Sequence, residues 1–417
     1  MTRNFLDLLD LTKSKITSTM YMIQHRTKET YFTRSTAKMQ FSEAMYLLLT
    51  GLRKTLQIEI DNWFEILGKG VGMTKQSFSE LRQKISPSAF IELNDIFNEW
   101  FYGGGNFKKY RGYRLLAIDG SITEIPNTEN NREHFGYYHN QSEWKQSRAM
   151  MSVIYDIEND VIIEADICPW QTAERDAAKE LILRASEKGQ KNDLCLLDRG
   201  YPSKDMFAFL EEQKVKFLIR VKNERFLSKT DNANKPDQAI EILHKDKVLK
   251  LRVINVTLDT GENEKLVTNL EESDIDFREL YFKRWGIEVK YCQLKSRYEL
   301  ENFSGNTPIA IEQDFYANIY LSNMMTVAKN ESNDSMEAKK QGLKYEYKVN
   351  MNILIGKMIP MLIKGLCEED GEKRGELYHK TILEITKNLV PIRPGRHFPR
   401  KEPSRKNKYP YTRKRAL

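Results

Sequence analysis

The sequence predicts an α/β protein in which a mixed sheet is flanked by helices. The sheet carries a β-strand insertion and lies between a helical N-terminal domain and a helical C-terminal region. Three observations lead there. Residues 1–100 repeat apolar side chains at helical spacing. After Gly103-Gly104-Gly105 the rhythm changes to short apolar and β-branched runs, which later alternate with helical stretches. Beyond about residue 307 the helical period returns. The boundaries read from these shifts are 1–102, 106–306 with an insertion at about 226–268, 307–390, and a basic tail at 391–417. A length of 417 residues exceeds one ordinary core, and a hydrophobic content of 40% is enough to build several.

In the first region, Ser42–Leu52 and Ile58–Leu67 keep the helical period. Thr74 is a suitable N-cap for Lys75–Ile85, and Pro87 opens the next helix, to Trp100. Two short helices joined by a tight turn are compatible with a helix-turn-helix offering Lys75, Gln76, Arg82 and Lys84 to DNA, or with a plain helical bundle. In the second region, Arg114–Asp119 is an apolar run ending in an acid. Ala149–Tyr155 and Val161–Ile167 are β-branched runs around the turn Glu158-Asn159-Asp160 and read as a hairpin. Glu174–Lys188 is helical and stops at Gly189. Asp193–Asp198 is again a short apolar run ending in an acid, followed by a helix, Lys204–Gln213, and a strand, Val215–Val221. A meander followed by strands alternating with helices describes a mixed sheet covered by helices. The insertion contains two strand-like runs, Val248–Leu258 and Lys265–Asn269. Pro308–Val327, Met351–Leu366 and Glu376–Leu389 are helical, with a polar loop at Lys329–Gln341.

Charge and cysteine usage narrow the function classes. The formal net charge is +7, but Arg393–Leu417 holds ten Lys/Arg against one acid, Glu402. That tail points to a polyanion, or else is a solvated tail without a partner. Cys168, Cys195, Cys292 and Cys367 lie far apart with no C-x-x-C pair, so reduced thiols are expected and zinc ribbons are not. The opening residues have acids where a signal peptide needs an apolar stretch, and Met351–Leu366 is too short and too charged to span a bilayer. No membrane partner is expected.

Candidate chemistry collects on three segments. Leu280–Asn302 reads as one long helix on which Tyr281, Arg284, Glu288 and Lys295 fall within a roughly 60° arc. The apolar residues Phe277, Leu280, Ile287, Tyr291, Leu294 and Tyr298 run along or beside that arc. A carboxylate between two cations at the margin of a buried stripe is either an ion-pair ladder or an active site. Asp119 and Asp198 each end a largely apolar run and precede a turn, D-G-S and D-R-G-Y. A buried strand delivers whatever ends it to the crevice at the sheet edge, although such residues also simply cap turns. Two strand-end aspartates with a helix-borne glutamate make three hard oxygen donors, suited to Mg²⁺ or Mn²⁺. Among the other acids, Asp160 sits in a turn and Glu164 fits the solvated face of its hairpin; Asp156, Asp166, Glu174 and Asp176 are left as competitors. His134 and His139 have no companions at metal spacing, and no phosphate-binding G-x-x-x-x-G-K-[ST] loop is present.

The helix spells Y-x-x-R-x-x-x-E-x-x-x-x-x-x-K at Tyr281, Arg284, Glu288 and Lys295, downstream of AIDGSITEIPNT around Asp119 and LLDRGYPS around Asp198. With NREHFGYYHNQ, ERDAAKEL, FLIRVK and LENFSGNTP in order between about Arg111 and Asn306, the sequence closely resembles the bacterial insertion-sequence DDE transposases with the Tyr-Arg-Glu-Lys signature. The resemblance implies a ribonuclease H-like core with Asp119, Asp198 and Glu288 as catalytic metal ligands for two-ion Mg²⁺ (or Mn²⁺) chemistry. It implies Tyr281, Arg284 and Lys295 as DNA contacts, to which Arg199 and Arg220 are added. Its partners are double-stranded DNA, at terminal inverted repeats and at a target, with a homodimer in a synaptic complex; its setting is the bacterial cytoplasm, at the nucleoid. A transposase-derived DNA-binding protein without catalysis, or a stand-alone nuclease, are the alternatives.

Overall fold

The glycine run at 103–105 ends the first helical stretch, and the chain divides there. In the computed structural model it forms two units, Met1–Gly104 together with Leu294–Leu417, and Gly105–Gln293. The structure describes residues 3–70, 72–139, 145–189, 192–221, 235–257, 261–336 and 345–393. The basic tail beyond residue 393, the polar start of the insertion at 226–234 and the end of the loop expected at 329–341 lie outside these.

The first unit joins the N-terminal helices to the C-terminal ones. Its N-terminal part comprises α1 (Phe5–Thr17), α2 (Thr19–His25), α3 (Phe41–Leu49), α4 (Leu56–Ile66), α5 (Lys75–Arg82) and α6 (Ser88–Tyr102). Numbering in chain order, its C-terminal part comprises α12 (Pro308–Asp334), α13 (Met351–Cys367) and α14 (Gly371–Ile385), with a ribbon of β10 (Tyr347–Val349) and β11 (Leu389–Pro391). Thr307 caps α12 and Pro308 opens it, and α1, α3, α6 and α13 pack around it. A helix enclosed on most sides is buried around most of its circumference, and several of the polar residues it buries are paired. Asn323 donates to Asn94 at 2.8 Å, while Gln313 and Asp314 hold Arg82. Two expectations change here. Residues 329–334 continue α12 instead of forming a loop. Arg82, offered above to DNA, is only 1% exposed and is bonded inside the unit.

The second unit is a large mixed sheet flanked by helices. Its strands are β1 (Arg114–Glu124), β2 (Tyr137–His139), β3 (Lys145–Asp156), β4 (Val161–Pro169), β5 (Asp193–Leu197), β6 (Lys216–Val221), β7 (Asp237–His244), β8 (Lys247–Thr257) and β9 (Asn263–Thr268). The order is β2-β3-β1-β5-β6-β9-β8-β7, with β4 also paired to β3. β1 lies parallel to β5, and β5 to β6; the other pairs are antiparallel. The insertion strands β7–β9 therefore prolong the same sheet through the β6–β9 pair. The helices are α7 (Glu129–Phe135), α8 (Glu174–Glu187), α9 (Lys204–Glu212), α10 (Phe277–Phe282) and α11 (Trp285–Ser296), within which the division into units falls.

Alternation along the strands decides which residues share a face. Leu115, Leu194, Leu196, Leu218 and Leu266 form one apolar cluster with Phe277 and Leu280 of α10. α8 packs on β1, β3 and β4, and its Glu174 lies against Gly120, whose side of β1 is the opposite one. Covering both faces explains Glu164. Expected on a solvated face, it is 4% exposed and paired with Lys188 and Arg184.

Candidate active site

Asp119 and Asp198 are placed by one register. β1 and β5 pair in parallel from Arg114 with Asp193 to Ile118 with Leu197, and the next residues are the two aspartates. Neighbouring strands run about 5 Å apart, so the pair stands side by side where the two strands part. Leu115, Ala117 and Asp119 share a face, as do Leu194, Leu196 and Asp198, and the leucines of both strands pack beneath α10. Both carboxylates therefore point to the α10 side. The expected turn after Asp119 is absent: Gly120 to Glu124 stay in β1, paired to β3, and only Asp198 precedes a turn, closed by Tyr201 N–H to Asp198 O at 3.1 Å.

The single helix expected over 280–302 is two. α10 ends at Phe282, and the chain tightens through three-residue turns: Arg284 N–H donates to Tyr281 O, Gly286 to Lys283 O and Ile287 to Arg284 O, at 3.0–3.1 Å. A Cβ at Gly286 would stand 3.4 Å from Ile157 and 3.5 Å from Tyr155, ordinary contact distances, so the bend lies against the β3–β4 hairpin without requiring glycine there. The new helix is fastened to the β3–β4 hairpin. Buried Lys290 reaches Asp160 at 2.9 Å, Lys283 reaches Glu158 at 2.9 Å, and the Tyr291 hydroxyl donates to Asp119 O at 2.8 Å. Asp160 is thus more than a turn former.

These fastenings present Arg284 and Glu288. Arg284, 8% exposed, donates to Glu288 at 2.7 Å and lies 5.8 Å from the Tyr281 ring centre. Burial pushes the Asp119 carboxyl up to about 6, opposed by Arg284 and the Gly120 N–H and reinforced by Glu174 and Asp198. Burial alone pulls the Arg284 guanidinium down, but Tyr281, Glu288, Asp198 and Asp119 outweigh it and hold it above its ordinary value. Two residues unassigned by the sequence enter through this field. Tyr201, 1% exposed, has its phenol raised first by burial and then by Asp119, Glu174 and Asp198. Glu174 lies where a Cβ on Gly120 or on Gly200 would come within 3.2–3.3 Å of it. The blocks DRGY and ERDAAKEL contained them, but an exposed first residue of a helix carries no local sign of a role.

The chemistry of the donor set fits a divalent cation. Hard carboxylate oxygens gather at one strand end, and the buried Tyr201 and Tyr281 hydroxyls have no hydrogen-bond partner among the described residues. As they stand, no three His, Cys, Asp or Glu side chains among the described residues are close enough to hold a metal. Glu288 is engaged by Arg284. Of the expected DNA contacts, Arg199 is exposed beside Asp198, Arg220 is paired with Glu264, and Lys295 belongs to the first unit, where it pairs with Glu301 at 3.1 Å. No helix among the described residues is long and apolar enough to cross a membrane.

A family model described as "Transposase DDE domain" matches residues 110–324. No curated protein matches the chain. A solved structure described as the cryo-EM structure of piggyBac transposase synaptic complex with hairpin DNA is similar at a TM-score of 0.47 and 14% identity, covering 92% of this chain and 86% of that one.

Proposed function

The chain belongs to the family of transposase DDE domains, and from that premise we propose that it is a bacterial insertion-sequence transposase with a ribonuclease H-like core. It binds terminal inverted repeats as a homodimer in a synaptic complex, cuts them, and joins the freed end to target DNA. Asp119, Asp198 and Glu288 are its catalytic carboxylates. The observation that supports this best is the shared register end of β1 and β5, which sets Asp119 beside Asp198 on the side from which Arg284 acts on both.

Asp119, Asp198 and Glu288 would hold Mg²⁺ or Mn²⁺, two ions in the full site. Bound there, such ions polarise the scissile phosphate and make water, and later a 3′ hydroxyl, a competent nucleophile. The remaining work belongs to the chain. Arg284 is oriented by Glu288 and Tyr281, so its fork is held ready for phosphate oxygens and loses little freedom on engaging them. The Lys290–Asp160 and Tyr291–Asp119 contacts fix α11, the helix that carries Glu288, against the sheet. Tyr281, Arg199, Arg220 and Lys295 are proposed to hold further phosphates.

The test is strand cleavage at the inverted repeats flanking the gene, with purified full-length protein and Mg²⁺ or Mn²⁺. Wild type should cut at the repeat boundary, and Asp119→Asn, Asp198→Asn and Glu288→Gln should each bind the same DNA and fail to cut it. Binding without cutting by wild type would instead make the chain a non-catalytic DNA-binding protein. Cutting that ignores the repeats would make it a stand-alone nuclease.

A further inference from the structure

β1 does not stop at Asp119. It runs on to Glu124 with β3 beside it, whereas its pairing with β5 ends at Ile118 and Leu197, so among the described residues the other edge of β1 carries no strand from there on. Register partners share a face. The face of this projecting ribbon that bears Gly120 therefore also bears Ile122, Glu124 and its partner Arg148, and, across β3, Tyr138 of β2. Glu174, the first residue of α8, lies over Gly120; further along, Ile122 is exposed and Tyr138 is 42% exposed. Glu124 lies five residues beyond Asp119, about 17 Å at ~3.3 Å per residue.

Tyr138 is braced in place. Its ring meets Trp170 edge to face, at 6.3 Å between centroids and 84° between planes. Trp170 lies where it does because residue 136 is glycine: φ there is +86°, and a Cβ would stand 2.7 Å from the indole Cδ1. The Arg148 guanidinium is 4.5 Å from the centre of the Tyr138 ring. Its Nε has no hydrogen-bond partner among the described residues, and its bond to Glu124 is long, at 3.4 Å. On the other face of β2, Lys145 stands 4.9 Å from the Tyr137 ring. An exposed ring fixed beside an under-used cation suits a ligand that carries planar faces next to negative acceptors. A nucleic-acid strand has that make-up, with bases to stack and phosphates to accept. In a duplex those faces are already stacked, so the strand that fits is unpaired.

We propose that the β1–β3–β2 ribbon is a binding surface for unpaired DNA, on which Tyr138, braced by Trp170, stacks a base while Arg148 holds the adjoining phosphate. This rests on the reading of the chain as a transposase cutting at Asp119 and Asp198. The open edge of β1 leads from Asp119 to this face, so a strand freed at the cut reaches it without crossing the sheet.

Fluorescence anisotropy with the full-length protein tests the idea apart from cleavage. The probes are a single-stranded oligothymidylate and an abasic strand of the same length, which keeps the phosphates and lacks the bases. Tyr138→Leu should weaken oligothymidylate binding about tenfold and leave the abasic strand unaffected, while Tyr138→Phe binds both as wild type does. Arg148→Gln should weaken both and reduce the salt slope by about 0.7. Circular dichroism and melting temperature check that each variant is folded. Unchanged oligothymidylate binding by Tyr138→Leu overturns the proposal, and so does an equal loss for both strands, which would leave Tyr138 as a mere support for Arg148. A change in sedimentation mass without a change in DNA binding would make the surface a contact between copies of the chain, and also overturns it. If wild type binds the inverted-repeat duplex but not oligothymidylate, only this surface is misassigned. If it binds neither, the transposase reading falls as well.

Discussion

Arg114 and Asp193 form a buried bidentate ion pair at the starts of β1 and β5, with Nε to Oδ1 at 2.8 Å and Nη2 to Oδ2 at 2.7 Å. They are also register partners, and Asp119 and Asp198 each lie five residues further along. A slip of one residue would send one aspartate to the other face, so the pair locks the alignment that the site needs. Asp193→Asn keeps the volume but strands a guanidinium that is 2% exposed, and should cost about 3–5 kcal/mol. Arg114→Met with Asp193→Leu should recover most of that loss, because neither charge is then buried alone. Urea unfolding followed by tryptophan fluorescence measures both. Equal midpoints for wild type and Asp193→Asn would contradict the claim.

Lys290 and Asp160 act on Glu288 indirectly. The ammonium is 2% exposed and bonds both the side chain and the carbonyl of Asp160, at 2.9 and 3.3 Å. Lys290→Met keeps the apolar stem and removes the tether. Cleavage under single-turnover conditions should fall about a hundredfold, the scale of a displacement near 1 Å, while DNA affinity in a gel shift stays within a factor of two. Lys290→Arg should restore part of the rate. Loss of binding in step with cleavage would mean that Lys290 contacts DNA.

The sequence showed most of the sheet and half of the site's logic. Apolar runs located β1, β3, β4, β5, β6, β8 and β9, and the two aspartates stood out because each ended such a run. The short β2 and the edge strand β7 carried too little apolar pattern to be read. Spacing could not reveal that Tyr281 and Glu288 lie on different helices, since a three-residue turn at Lys283–Arg284 preserves the sequence interval. Alternation gave Glu164 a face but not what covers it, and α8 does. Glu174 was one acid among several, because only the approach of α8 to two distant glycines sets it apart.

Arg82 shows the same limit for the expected DNA-reading helix, and it makes a prediction. Its Nε bonds Gln313 at 2.8 Å, Nη1 bonds Ser304 at 2.7 Å, and Nη2 bonds Asp314 at 2.8 Å and Ala310 O at 3.1 Å. Four of its five planar donors are spent on partners inside the unit, and at 1% exposure the guanidinium is not offered to a phosphate. Arg82→Ala should therefore destabilise the protein by about 3–5 kcal/mol, because the Asp314 carboxylate loses its cation and keeps only the Ser304 hydrogen bonds. In protein still folded at low temperature, the dependence of DNA affinity on salt should not change. A salt slope reduced by about one unit would show a lost phosphate contact instead.

His25 gives the helical unit a pH dependence with a definite sign. Its ring is 3% exposed, with Nε2 2.7 Å from Glu92 and Nδ1 2.9 Å from Ser88. Burial lowers its pKa from the ordinary 6.5, and the Glu92 carboxylate only partly opposes this. The folded protein thus binds this proton less readily than the unfolded chain does. The stability His25 contributes is present above about pH 6.5 and is lost as the pH falls from there through the folded value. Glu92 is itself lowered from 4.5: burial alone would raise it, but the Lys15 and His25 hydrogen bonds prevail. Its own loss therefore comes at lower pH. Melting temperature measured between pH 7.5 and 5 should drop more steeply for wild type than for His25→Gln, which cannot take up the proton. Parallel curves for the two proteins would show that His25 keeps an ordinary pKa in the fold.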